Sequence, residues 1–162
     1  MKMNNIIDFF DAVETNNQAL VEQMLNSGLD YNQTNKLGYS ALHRSCYNGF
    51  DDLSVYLINV GIDVNIQDNV GATALHYTAQ YGQFAVAKLI LEKGGSLNIS
   101  DRYGNEPLWV AVFNDKGRDS RYEMVELFVK YGADVNRKNK AAKSPKEFAQ
   151  YANYKNLEGL LT

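Results

Sequence analysis

The chain is poor in the groups that carry covalent and metal chemistry. Cys46 is its only cysteine, so no disulfide forms within it, which suits a reducing compartment. His43 and His76 are its only histidines, and no GxxxxGKS/T loop, no GxSxG elbow and no metal-spaced set of cysteines and histidines occurs. Without a nucleophile, a base and a stabilising group in any recognisable arrangement, the expected molecule is not an enzyme and holds no cofactor and no metal. Asp51 and Asp52 read as the acidic opening of a helix rather than as a catalytic pair. Long apolar runs are missing as well: VAKLILEKGG carries charge and falls short of the roughly 18 residues a spanning helix needs. Near the start, MKMNNIIDFF is interrupted by Asp8, with Asp11 close behind, before an apolar run reaches signal-peptide length. A soluble, cytoplasmic protein is expected.

Positive charge is the scarcer sign. There are 16 Lys and Arg against 19 Asp and Glu, a net charge of −3, and the deficit is uneven. Residues 1–68 hold 3 basic and 9 acidic side chains, a charge of −6, whereas residues 69–162 hold 13 and 10, a charge of +3. Such polarity orients a charged partner during encounter, but a chain acidic overall is poorly suited to wrapping a phosphate backbone. Neither nucleic acid nor membrane is expected as a partner.

What the chain does have is repetition. GYSALHRSCYNG at residues 38–49 returns as GATALHYTAQYG at 71–82. Gly38, Gly71 and Gly104 are 33 residues apart, as are Leu42, Leu75 and Leu108, and Asn32, Asn65 and Asn98. The next closing glycine is late, Gly94 to Gly132 being 38 residues, which puts five extra residues in the polar stretch DKGRDSR. Read as a surface loop, that stretch predicts that deleting Asp115 to Asp119 leaves the fold and its stability largely intact. Within each unit, Ser40 or Thr73 is placed to accept a first-turn amide hydrogen bond of a short helix, and a glycine ends it. A second helix follows with apolar residues at helical spacing, Leu53, Leu57 and Ile58 in one unit, Val86, Leu89 and Ile90 in the next.

These features, DNVGATALHYTAQYG followed by LILEKGGSLN above all, resemble the ankyrin repeat, whose hallmark is a glycine, then T-P-L-H, then a helix-turn-helix. The resemblance implies an all-α ankyrin-repeat solenoid of about five helix-turn-helix units with β-hairpin tips. It implies one domain over 1–162, with an N-terminal cap repeat at 1–33, repeats at 34–66, 67–99 and 100–137, and a C-terminal cap repeat at 138–162. Terminal units bury one face only and tolerate polar residues on the other. In the family, histidines at the places of His43 and His76 hydrogen-bond near the helix start and fix the adjoining hairpin. The two would lie one stacking step apart, on the order of 10 Å, too far to share a metal. Cys46 replaces a small residue that such helices direct into the core, so it reads as a buried thiol. The chain departs from the pattern in SALH and TALH, with Ala for Pro, and in EPLW, with Trp109 in the histidine place. EPLWVAVFN, the polar insertion and KSPKEFA are similar to a group of small stand-alone bacterial ankyrin proteins, some of which resemble immunity proteins encoded beside secreted toxins.

The resemblance implies partner contacts from the tips and inner helices, the concave side, where the aromatic residues concentrate. Tyr39, Tyr47, Tyr77, Tyr81, Tyr103 and Phe113 are the candidate anchors, with Lys36, Arg102 and Asn105 as polar contacts. Some of these side chains alternatively pack into the repeat interface, and for Trp109 burial and exposure are both open. Tyr39, Tyr81 and Tyr103 stand among turn residues, in KLGY, AQYG and RYG, which favours exposure. Arg137, Lys138, Lys140, Lys143 and Lys146 form a basic stretch, read as a solvated loop or as a grip on an acidic protein surface. Phe148, the only aromatic near it, is expected under the cap helix, so no base-stacking platform is indicated. The reading is a noncatalytic protein-binding module, monomeric when free, with a bacterial immunity protein against a toxin as the first assignment. A regulatory adaptor that tethers or protects a cellular enzyme is the alternative.

Overall fold

The computed structural model describes residues 5–162. Among these residues lie nine α-helices and no strand. They run as α1 (Asn5–Glu14) and α2 (Gln18–Asn26), α3 (Ala41–Asn48) and α4 (Asp51–Asn59), α5 (Ala74–Tyr81) and α6 (Phe84–Glu92), α7 (Pro107–Asp115) and α8 (Tyr122–Lys130), then α9 (Pro145–Tyr151) and a single 3-10 turn (Lys155–Leu157). The links within the second and third pairs are two residues long, which folds each pair back on itself. An inner layer is built by α1 on α3, α3 on α5, α5 on α7 and α7 on α9, and an outer layer by α4 on α6 and α6 on α8.

The 33-residue spacing has a direct physical result. Leu42, Leu75 and Leu108 are all fully buried, each on its inner helix, while Leu53, Leu57, Val86, Ile90, Val125 and Phe128 close the same core from the outer helices. Close stacking of the inner layer rests on small buried side chains, Ala41, Ser45, Ala74, Ala79 and Ala111. Helix starts follow local chemistry. Ser40 and Thr73 cap α3 and α5, and in both cases the box is completed by histidine: the Ser40 amide donates to Nδ1 of His43 at 3.1 Å, and the Thr73 amide to Nδ1 of His76 at 3.0 Å.

The expected β-hairpins are absent as strands among the described residues. Each tip closes on two backbone bonds, one across its base, Asn35 N to Tyr39 O at 3.0 Å, Asp68 N to Ala72 O at 2.9 Å, Asp101 N to Asn105 O at 2.9 Å, and Asn139 N to Lys143 O at 3.0 Å, and one inside it, from the Gly38, Gly71, Gly104 or Ala142 amide back to the residue that opens the turn. The residue that opens the turn then takes the remaining amides with its side chain. Oδ1 of Asp68 accepts from the Val70 and Ala72 amides, and Oδ1 of Asp101 from those of Tyr103 and Asn105. Amides satisfied in this way are unavailable for a ladder, so the tips stay as turns. Adjacent tips are nevertheless joined, by Asn69 N to Leu37 O at 3.0 Å, Arg102 N to Val70 O at 2.7 Å and Lys140 N to Tyr103 O at 2.9 Å. At Gly38 a side chain is excluded twice over: φ is +76°, and a Cβ would stand 2.7 Å from the Asn69 amide of the next tip.

The extra residues of the late repeat lie between α7 and α8, but they are not a free loop. Asp115 is completely buried, and its carboxylate accepts from the Arg121 amide at 2.8 Å and from Nδ2 of Asn156 at 2.7 Å. Arg121 turns back over the end of α5, donating from Nε to Ala79 O at 3.0 Å and from Nη2 to Gln80 O at 2.8 Å. The expectation that removing Asp115 to Asp119 is nearly neutral is corrected accordingly, because Asp115 anchors both Arg121, which binds α5, and Asn156 of the C-terminal turn.

Candidate protein-interaction surface

The tips and inner helices present two groups of aromatic side chains. In the first, Tyr47 meets Tyr81 edge to face at 5.5 Å between ring centroids and Tyr77 at 6.2 Å, while Tyr39 meets Tyr77 at 6.1 Å. Tyr77 is the hub, and it corrects the sequence reading. It is 9% exposed, and its hydroxyl donates to Oδ2 of Asp68 at 2.6 Å, so it supports the neighbouring rings and is closed to a partner. Burial, with the Asp68 bond adding to it, raises its phenol far above the ordinary tyrosine range. Tyr39 is half-buried against the core, whereas Tyr47 and Tyr81 are exposed. Arg44 lies over the rings of Tyr39 and Tyr47 at 5.5 and 5.0 Å and is held from behind by Glu14 at 3.2 Å. Arg44 was not among the sequence candidates, and its place one residue after His43 on α3 was the available signal.

The second group is at the other end. Trp109 stacks on Phe113 with centroids 5.3 Å apart and an interplanar angle of 18°, and Phe148 packs on both at 5.2 and 5.6 Å. Trp109 is thus half-buried within a stack, Phe113 is exposed, and Tyr103 stands out from its tip at 62% exposure. Phe148, expected under the cap, lies beside this stack and was missed for that reason. The first group joins Tyr39, Tyr47 and Tyr81 through Tyr77, while Tyr103 and Phe113 belong with the second. Lys36 and Arg102 are exposed on two tips separated by the Asp68–Ala72 turn. Asn105 is half-buried with its amide already engaged, donating to Asp101 at 3.2 Å and accepting from Asn139 at 2.8 Å, which corrects its reading as a free polar contact.

The titratable groups of the stack are quiet. His43 and His76 are buried, and their Nε2 atoms bond the next tip, at Ala72 O (3.0 Å) and Asn105 O (3.1 Å). Burial lowers both imidazoles below the usual histidine value, against the opposing pull of those carbonyls, so Nε2–H donates from a neutral ring whose Nδ1 accepts. Burial also pushes the Cys46 thiol up to about 12. Among the described residues no group of three or more His, Cys, Asp or Glu is arranged to hold a metal ion, and no helix is long and apolar enough to cross a membrane.

Helix pairs stacked at a 33-residue period, with turns projecting from one edge and histidines tying α3 and α5 to the turn that follows each, define a helical-repeat scaffold. The chain belongs to the ankyrin repeat family: ankyrin repeats in 3 copies match it over residues 9–101 and 55–139. No match is found among curated proteins. Members of this family generally mediate protein–protein interaction.

Proposed function

We propose that the chain is a noncatalytic protein-binding module that grips a partner protein on the concave side formed by its tips and inner helices. The observation that carries this reading is the exposure of Tyr47, Tyr81, Tyr103 and Phe113 along one edge of the stack. Large aromatic rings kept in water are a standing cost and a common source of interface hot spots. The neutral, hydrogen-bonded histidines and the buried thiol support a binding role over a catalytic one. Its most specific form is a bacterial immunity protein that neutralises a toxin, supported by the similarity of EPLWVAVFN and KSPKEFA to stand-alone immunity-like repeats. A monomer in the cytoplasm completes the proposal, in keeping with the single cysteine.

Replacing Tyr81 and Tyr103 together by Ala tests it. Hot-spot aromatics contribute about 2 kcal/mol or more apiece on truncation, so the double variant is expected to lose affinity for the partner co-purified from the native cell by about a thousandfold. Its melting temperature stays near the parent's, because both rings are outside the repeat core. Cells carrying it lose protection from the cognate toxin; if the partner is instead a cellular enzyme, the adaptor role replaces the immunity role. Undiminished affinity of the folded variant sinks the concave anchor site.

A further inference from the structure

The seam between α7 and α9 differs from the two before it. At those earlier seams a histidine reaches from the inner helix to the next tip, His43 to Ala72 and His76 to Asn105. At the third, Trp109 stands in the histidine place, and its indole N–H finds no acceptor among the described residues. The tip is tied only farther out, by Asn139 to Asn105 and by Lys140 to Tyr103. Where the histidine tie is missing, a groove of about 700 Å³ opens, floored by Trp109 and Phe148 and walled by Tyr103, Tyr151, Lys140 and Lys143.

The charges around it are one-sided. Of the five cations between Arg137 and Lys146, Arg137 pairs with Glu106 at 3.7 Å and Lys138 with Glu147 at 2.9 Å. Those two carboxylates are thereby occupied, and Asp101 is spent within its own tip. Lys140 and Lys143, both exposed, have no carboxylate within 4.0 Å among the described residues. Lys143 stands 5.9 Å from the Tyr151 ring, a ring 85% exposed. An aromatic floor with two unneutralised ammonium groups on its rim complements a chain segment that alternates carboxylates with a large apolar side chain.

We infer that this groove is the docking site for an acidic, extended segment of the partner protein, its apolar side chain seated on Trp109 and Phe148 and its carboxylates on Lys140 and Lys143. The inference rests on the protein-binding reading and names the chemistry that surface accepts. It is independent of the Tyr47 and Tyr81 patch, which lies on other helices.

A labelled short peptide alternating Glu with Leu around a central Phe, its Lys-substituted counterpart, and a single-stranded oligonucleotide are titrated with the whole chain by fluorescence anisotropy at low and high salt. The acidic peptide is expected to bind and to weaken with salt, and the basic one to be ignored. Affinity for the acidic peptide falls about tenfold or more in Lys140→Glu/Lys143→Glu, falls severalfold in Tyr151→Ala, and is unchanged in Tyr47→Ala; all of these side chains are exposed, so the fold is preserved. Equal binding of both peptides, no binding of the acidic one, tighter binding of the oligonucleotide, or indifference to the lysine changes overturns the inference. So does concentration-dependent self-association abolished by the same lysine changes, which assigns the groove to the acidic half of a second copy. If the native partner is lost in Tyr47→Ala/Tyr81→Ala but binds Lys140→Glu/Lys143→Glu normally, the groove fails and the protein-binding reading stands. The reverse result leaves the groove and removes the Tyr47 and Tyr81 anchors.

Discussion

His43 and His76 show how one residue type joins three elements at once. Each backbone amide and Nδ1 complete the cap of its own helix, and each Nε2–H reaches a carbonyl of the following tip. That arrangement requires a neutral ring, and burial lowers both imidazoles to provide it. The unfolded chain takes up a proton on each ring near pH 6.5, while the folded chain resists, so stability present at neutral pH is lost as pH falls below that value. Each histidine steepens the slope by at most about 1.4 kcal/mol per pH unit. Urea midpoints measured between neutral pH and the carboxylate range are expected to decline on acidification, and His43→Asn/His76→Asn to flatten that decline. An equally steep decline in the double variant would place the proton uptake elsewhere. Glu106 acts in the opposite sense, since burial raises its carboxyl against the pull of Arg137. The ties were legible in the sequence because TALH repeats with its period. The burial of Tyr77 was not, because its Asp68 partner sits nine residues away in a tip whose side-chain directions only the folded turn decides.

At the scale of elements, the segment between α7 and α8 is the case where length misled. Five residues beyond the period announced an insertion correctly, but polar composition describes a solvated loop and a hydrogen-bonded clasp equally well. Asp115 and Arg121 became structural through partners far along the chain, Asn156 and the end of α5. Asp115→Ala leaves the Arg121 amide without its acceptor and Asn156 with Asp119 alone, a cost of about 2 kcal/mol. Asn156→Ala is expected to cost less, and the two losses to be non-additive in a double-mutant cycle of urea denaturation, since they share one contact. Additive losses would mean that the clasp does not exist as a pair. The tips misled in the other direction: the family resemblance implies hairpins, but the Asp and Asn side chains that open each turn satisfy the amides a strand would have used.

For the whole molecule, the all-helical repeat architecture was legible because a unit that cannot bury its own faces must stack, and the stacking leucines recur at one spacing. The candidate surface was legible only in part: aromatic identity is visible in a sequence, whereas the separation into two groups follows from which inner helix each ring leaves and toward which seam. The same logic makes the C-terminal segment a lid on the core. Leu157 and Leu161 are buried against the stack, as is Ala149 of α9, so a chain ending at Asn136 exposes the far side of α7 and α8. It is expected to melt well below the full chain, with a less cooperative transition, as followed by helical circular dichroism; an unchanged melt would show that the last helix is an appendage. One further consequence belongs to the tips. Each is fastened to the next by one backbone bond, between Asn69 and Leu37, Arg102 and Val70, and Lys140 and Tyr103, with a side-chain bond beside it from Asn69 to Lys36, Arg102 to Asn69 and Asn139 to Asn105, while the helices behind them adhere through apolar packing and, at the first two of these seams, a histidine bond to the next tip. A load pulling the two ends apart is therefore shared at every seam between a few short directional bonds at the tips and a compliant layer behind them. The curved edge behaves as a chain of shear pins along a leaf spring: it flexes with little resistance until a pin breaks, and then yields by one repeat at a time.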